Sequence, residues 1–147
     1  MNINEAIEQS KIKKKKLFIM VYSEHCEWSS RMNKNTFSHP DIAQYINDYY
    51  YPVLFDINES KSVNFSDKEY KRVKKSGMSY HEFVAFITMG RISTPTLVFF
   101  DETMRMLQPI AGYKDADDLR LILRYYNEDL HTQISWSRFI KTYSVKN

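Results

Sequence analysis

Hydrophobic positions recur along this chain with two different periods. Ile3, Ala6 and Ile7 share one helical face, which predicts a short first helix ending near a run of lysines. Leu17 to Tyr22 is short, continuously apolar and bounded by polar residues, the pattern of a strand buried on both faces. Helical character resumes after Cys26. Ser38-His39-Pro40-Asp41 has the early proline and acid of a helix start, and Ile42, Tyr45, Ile46 and Tyr49 form the stripe that follows. Pro52 to Ile57 predicts a second buried strand.

In the second half, Val63 and Phe65 alternate and Ser66-Asp67-Lys68 can turn. With Tyr70 and Val73 beyond, a small hairpin insertion is predicted within residues 60–76. Ser79-x-x-Glu82 has the form of a capping box. It predicts a helix with the stripe Tyr80, Phe83, Val84 and Ile87, ended by Gly90. Thr96 to Phe100 is β-branched and aromatic, hence a strand. Asp101-Glu102-Thr103 turns it toward a partner around Met104 to Ile110, where Pro109 marks an edge or strand end. Asp115 to Tyr126 is the clearest helix, with Leu119, Ile122, Leu123 and Tyr126 on one face and acids at its N-terminal end. Trp136, Phe139, Ile140 and Tyr143 predict a last short helix with Ser135 as its cap. This order predicts an α/β layered fold, as one domain over residues 1–147.

Composition adds limits. The chain has 147 residues, 43% hydrophobic and 27% charged, enough to bury one core without staples. Eleven Tyr, nine Phe and two Trp make that core aromatic. The net charge is +3, and its one basic concentration, Lys11 to Lys16, reads as a solvated helix end. A nucleic-acid partner would bring more basic residues and a reading motif. The apolar run after it is too short for a membrane span or a signal-peptide core. A single cysteine excludes an internal disulfide and a multi-thiol metal site. No two of His25, His39, His81 and His131 share ligand spacing on one helix, so they read as surface or capping residues. Phosphate-loop, dinucleotide and serine-hydrolase signatures are absent, and no cofactor is expected.

That leaves the stretch Ser23 to Met32, which holds Cys26. A thiolate is the nucleophile of disulfide exchange, and a helix N-terminus favours the anion. His25 adds positive charge, while Glu24 and Glu27 oppose it. The plain alternative is that Cys26 is a small buried hydrophobe, Trp28 an ordinary packing residue, and Pro95 simply the start of a strand.

A strand, then Cys-x-x-Ser opening a helix, then "STPTLVFF" (Ser93 to Phe100) resembles the thioredoxin superfamily. Within it the chain is most similar to thioredoxin-related proteins of the bacterial periplasm, such as those associated with sulfur oxidation or the C-terminal domain of the thiol:disulfide interchange protein. "HCEWSSRMNKNTFSHPDIAQYIND" and "AGYKDADDLRLILRYYNED" carry the same likeness, which covers roughly residues 3 to 143. The resemblance implies a thioredoxin-like fold: a central mixed sheet flanked by helices, with a small hairpin insertion and an extra C-terminal helix. It implies Cys26 as nucleophile and a cis Thr94–Pro95 bond whose Thr94 peptide groups pair with a substrate chain. Trp28 and His25 then shape the rim.

Two departures accompany it. Ser29 stands where dithiol relatives place the resolving cysteine, and Met20 where they bury an acid. Self-resolving dithiol reduction is thereby excluded. Monothiol chemistry remains, with protein thiols or disulfides as partners and a small thiol such as glutathione as a possible resolver. Ser29 can at most donate a hydrogen bond to the thiolate. The rival expectation is a peptide-binding module that has lost catalysis. A cluster-binding monothiol glutaredoxin is disfavoured, because Glu27-Trp28 replaces that family's glycine-phenylalanine pair. The expected location is the bacterial periplasm if a signal peptide has been removed, and the cytoplasm otherwise.

Overall fold

The computed structural model describes residues 1–144. Its centre is a four-stranded sheet in the order β2-β1-β7-β8. β1 (Lys16–Tyr22) pairs parallel with β2 (Tyr50–Asp56) and antiparallel with β7 (Thr96–Phe100), which pairs antiparallel with β8 (Ile110–Ala111). Helices cover both faces, which is why β1 is apolar without alternation. Leu17, Ile19 and Val21 face a core built with α1 (Ile3–Ile12) and α4 (Glu82–Ile87). Phe18 and Met20 face the other core, shared by α2 (Glu27–Asn35), α3 (Pro40–Tyr49), α5 (Ala116–Asn127) and α6 (Trp136–Ser144). That second core is aromatic at its centre: Phe99 stacks on Tyr126 at 4.6 Å and meets Phe18 edge-on at 5.3 Å.

Two regions differ from expectation. The insertion is two hairpins, β3 (Val63–Phe65) with β4 (Lys68–Tyr70), and β5 (Arg72–Lys75) with β6 (Met78–His81). Each closes on a two-residue loop with positive φ, Ser66-Asp67 and Ser76-Gly77, the geometry that matches strand twist. Ser79 therefore lies in a strand and caps nothing. The cap of α4 is His81, fully buried: its Nδ1 accepts from Phe83 N–H at 3.0 Å and its Nε2 bonds the Lys61 carbonyl at 2.8 Å. His81 is thus a capping residue but no surface residue. Met104 to Pro109 forms no continuous strand. A lone bridge, Phe100 to Met106, precedes the two residues of β8.

The lysine run also ends differently. Lys16 is 4% exposed, and its Nζ pairs with Glu102 at 2.8 Å and Asp129 at 2.9 Å. Burial alone would lower its pKa; the two carboxylates outweigh that and raise it. Among the described residues, no helix is long and apolar enough to cross a membrane.

Candidate functional site

The ladder between β1 and β7 places the site. Val21 stands opposite Thr96, so the loop leaving β1 faces the segment entering β7. Cys26 is the N-cap of α2, with extended backbone (φ −93°, ψ 117°), and the Thr94–Pro95 peptide is cis. Cys26 and Thr94, far apart in sequence, meet there: Sγ lies 3.4 Å from the Thr94 carbonyl oxygen. The entry to β7 is held by its own bonds. Gly112 N–H donates to the Pro95 carbonyl at 2.8 Å, with Gly112 at φ +100°, and the Thr96 hydroxyl donates to Ser93 C=O at 2.8 Å.

Cys26 is half-buried, and its pKa is lowered to about 7. The Thr94 side chain contributes most, by hydrogen bonding to the thiolate, and the Ser29 hydroxyl comes next. Partial desolvation opposes them. The backbone N–H groups of Ser29 and Trp28 add to the lowering, because the first turn of α2 has no carbonyl to bond them. The Thr94 carbonyl pulls the other way, since it accepts from a thiol and repels a thiolate; the donors win. Glu27, a formal opponent of the anion, is drawn off by Arg31 at 2.7 Å.

Ser29 is buried on the inner side of the α2 turn, where its hydroxyl also accepts from Ser23 N–H at 3.4 Å. Met20, 2% exposed, lines a cleft beside it. Neither position offers a second thiol or an acid. Trp28 is 52% exposed, so ordinary packing does not describe it. Its ring leans on Tyr113 at 5.6 Å and lies under the Arg31 guanidinium at 4.9 Å, which holds an apolar plate at the rim. His25 is exposed on the loop before Cys26, its N–H donating to Ser23 Oγ at 3.3 Å.

Sequence reasoning missed Arg31 and Tyr113. Arg31 was findable, being four residues after Glu27 and three after Trp28 on a helix. Tyr113 carried no such signal, because only the β7–β8 pairing brings its loop to the site. Among the described residues, no group of three His, Cys, Asp or Glu side chains is arranged to hold a metal ion.

No curated protein matches the chain in sequence. Solved structures do match in shape. A thioredoxin-fold protein from Helicobacter pylori superposes with a TM-score of 0.66 at 18% identity, covering 88% of this chain and 79% of that one. A thioredoxin from Thermus thermophilus gives 0.61 at 16%, covering 85% and 83%. A DsbH oxidoreductase gives 0.61 at 14%, covering 87% and 83%. At such identities the likeness establishes the fold, in agreement with the mixed sheet flanked by helices. The family described as thioredoxin-like domain matches residues 3–127, and the chain belongs to that family.

Proposed function

We propose that the protein performs monothiol thiol–disulfide exchange through Cys26. The observation that carries this reading is a half-buried sulfur at a helix N-terminus, beside the Thr94 turn, with a pKa lowered to about 7. The Cys26 thiolate attacks one sulfur of a substrate disulfide; the Cys26–substrate disulfide forms and the other substrate sulfur leaves as a thiolate. Ser29 cannot displace the bound chain. A different thiolate of the substrate, attacking the substrate sulfur of that mixed disulfide, forms a new substrate disulfide and releases the Cys26 thiolate with no net electron transfer, which is isomerisation. Two equivalents of an external thiol such as glutathione release it instead with net reduction: the first takes the Cys26 sulfur and frees the substrate as a dithiol, and the second displaces Cys26 and leaves as the thiol's own disulfide. Thr94 and Pro95 position the substrate chain, Ser29 bonds the thiolate, and Trp28 with His25 forms the rim. An oxidising compartment such as the bacterial periplasm suits the isomerase branch, and the cytoplasm the reducing one.

Trapping tests the reading. Incubated with proteins bearing strained disulfides, the wild type accumulates covalent adducts that reductant removes, and Cys26→Ala forms none. A Cys26→Ala variant that retains undiminished affinity, beside a wild type that forms no adduct, overturns exchange in favour of a non-catalytic peptide-binding module.

A further inference from the structure

The sheet has two edge strands, β2 and the two-residue β8. β2 is terminal in the strand order, and among the described residues no strand flanks its outer side. Two hydrogen bonds fix which backbone groups point outward. Ile57 N–H donates inward to Tyr22 C=O at 2.9 Å, whereas Pro52 C=O faces out and accepts from the Met1 amino group at 3.4 Å. Strand alternation turns the N–H and C=O of Leu54 and the N–H of Asp56 outward with it. The Leu54 side chain, 61% exposed between the buried Val53 and Phe55, lies on the sheet face beside that edge.

Leu54 is also where two clefts meet. One, of about 400 Å³, reaches Met20 and Ser29; the other, of about 310 Å³, reaches Phe37 and Ile46; Asn33 lines both. A largely apolar trough thus runs beside the open edge and ends at the turn of α2 that Cys26 caps. That end is acidic. Glu24 lines it, and Asp56, Glu24 and Glu59 act together on Tyr22, whose phenol is held protonated by burial first and by those charges next. Among the described residues none of the three forms a salt bridge.

We propose that an extended, basic segment of the substrate polypeptide adds to the outer edge of β2, one apolar side chain over Leu54 and its cationic residues toward Glu24 and Glu59. This rests on the reading of Cys26 as an exchanging thiol. Outward backbone groups call for a strand, and the neighbouring trough for an alternate apolar side chain. Glu59 accepts only from Ser60 N–H at 3.2 Å, and with Glu24 it has no cation beside it among the described residues; these charges call for positive charge and disfavour an anionic small thiol at this end of the trough. A second copy of the chain, which carries a net +3, is a poorer occupant than a polypeptide whose edge-binding segment is basic throughout.

The test uses two extended peptides, identical except for basic or acidic flanks, each with one cysteine linked to a chromogenic aryl thiol. Cys26 thiolate takes the peptide sulfur and releases the aryl thiolate, which is read as a rate. A small uncharged disulfide reagent normalises each variant. The basic peptide reacts about tenfold faster at low ionic strength, and the ratio falls toward one in high salt. Leu54→Pro, which removes an outward N–H without touching the β1 ladder, shrinks the preference; so does Glu24→Gln with Glu59→Gln. Equal normalised rates for both peptides, or a preference that neither variant alters, overturn the proposal and leave exchange standing. A dimer abolished by Leu54→Pro places a second copy on the edge and overturns it likewise. A Cys26 no faster than a free thiol at pH 6 with the small reagent refutes the exchange reading beneath it.

Discussion

The alkylation rate of Cys26 between pH 6 and pH 9 measures the hydrogen bonds around its sulfur. A thiol with a pKa of about 7 is ~9% thiolate at pH 6 and almost wholly so at pH 9. The increase is ~11-fold. A free cysteine near pKa 8.5 goes from ~0.3% to ~76%, a ~240-fold increase. The ratio of rates at the two pH values cancels both steric access and the weaker intrinsic nucleophilicity of a low-pKa thiolate. A half-buried Cys26 therefore does not confuse the result. Iodoacetamide labelling followed by mass spectrometry supplies the rates. Ser29→Ala and Thr94→Val, which each remove a hydroxyl that favours the thiolate, steepen the rise toward that of the free thiol. A wild-type increase of two hundredfold or more refutes the argument, and so does a profile that neither substitution moves. The same pKa sets a stability window. Because the folded value lies below the unfolded one, the ionised sulfur contributes fully above about pH 8.5, and the contribution is lost as pH falls through about 7.

Ser29→Cys restores a second sulfur beside the first. Its adducts with substrate should no longer accumulate, and oxidation should consume both thiols in a gel-shift count; persistent adducts would mean that the α2 turn keeps the sulfurs apart. Lys16 should respond asymmetrically. Glu102→Gln with Asp129→Asn strands a buried cation and costs about 3–5 kcal/mol, whereas Lys16→Met leaves two carboxylates that can hydrate and costs little. Urea denaturation separates the two, and equal losses count against a buried ion cluster. His81→Phe leaves Phe83 N–H and the Lys61 carbonyl without partners. About 1–3 kcal/mol should be lost, with hydrogen exchange quickening first at the start of α4. Undisturbed exchange there would remove the cap from the account.

Much of the fold was readable because burial writes itself into spacing. The unbroken apolar run of β1 announced a strand covered on both faces, and the stripe of α5 announced a helix packed on one. The second hairpin was hidden, since Ser79 and Glu82 have the spacing of a capping box; a short pattern is indifferent to whether a strand or a helix carries it. Lys16 looked like the end of a solvated run because its two carboxylates, Glu102 and Asp129, lie far away in the chain.

The sequence by itself determined that a single sulfur opens a helix, that no second sulfur and no acid at position 20 accompany it, and that a Thr-Pro pair precedes a buried strand. Only the tertiary structure decided that these features meet, that Tyr113 and Arg31 hold Trp28 at the rim, and that the outer edge of β2 runs beside carboxylates with no ion-pair partner among the described residues. The physical reason is the range of the forces involved. Propensity and periodicity act over a few residues of chain, whereas the largest contribution to the lowered pKa of Cys26 comes from Thr94, which the β1–β7 ladder brings to it from far along the sequence.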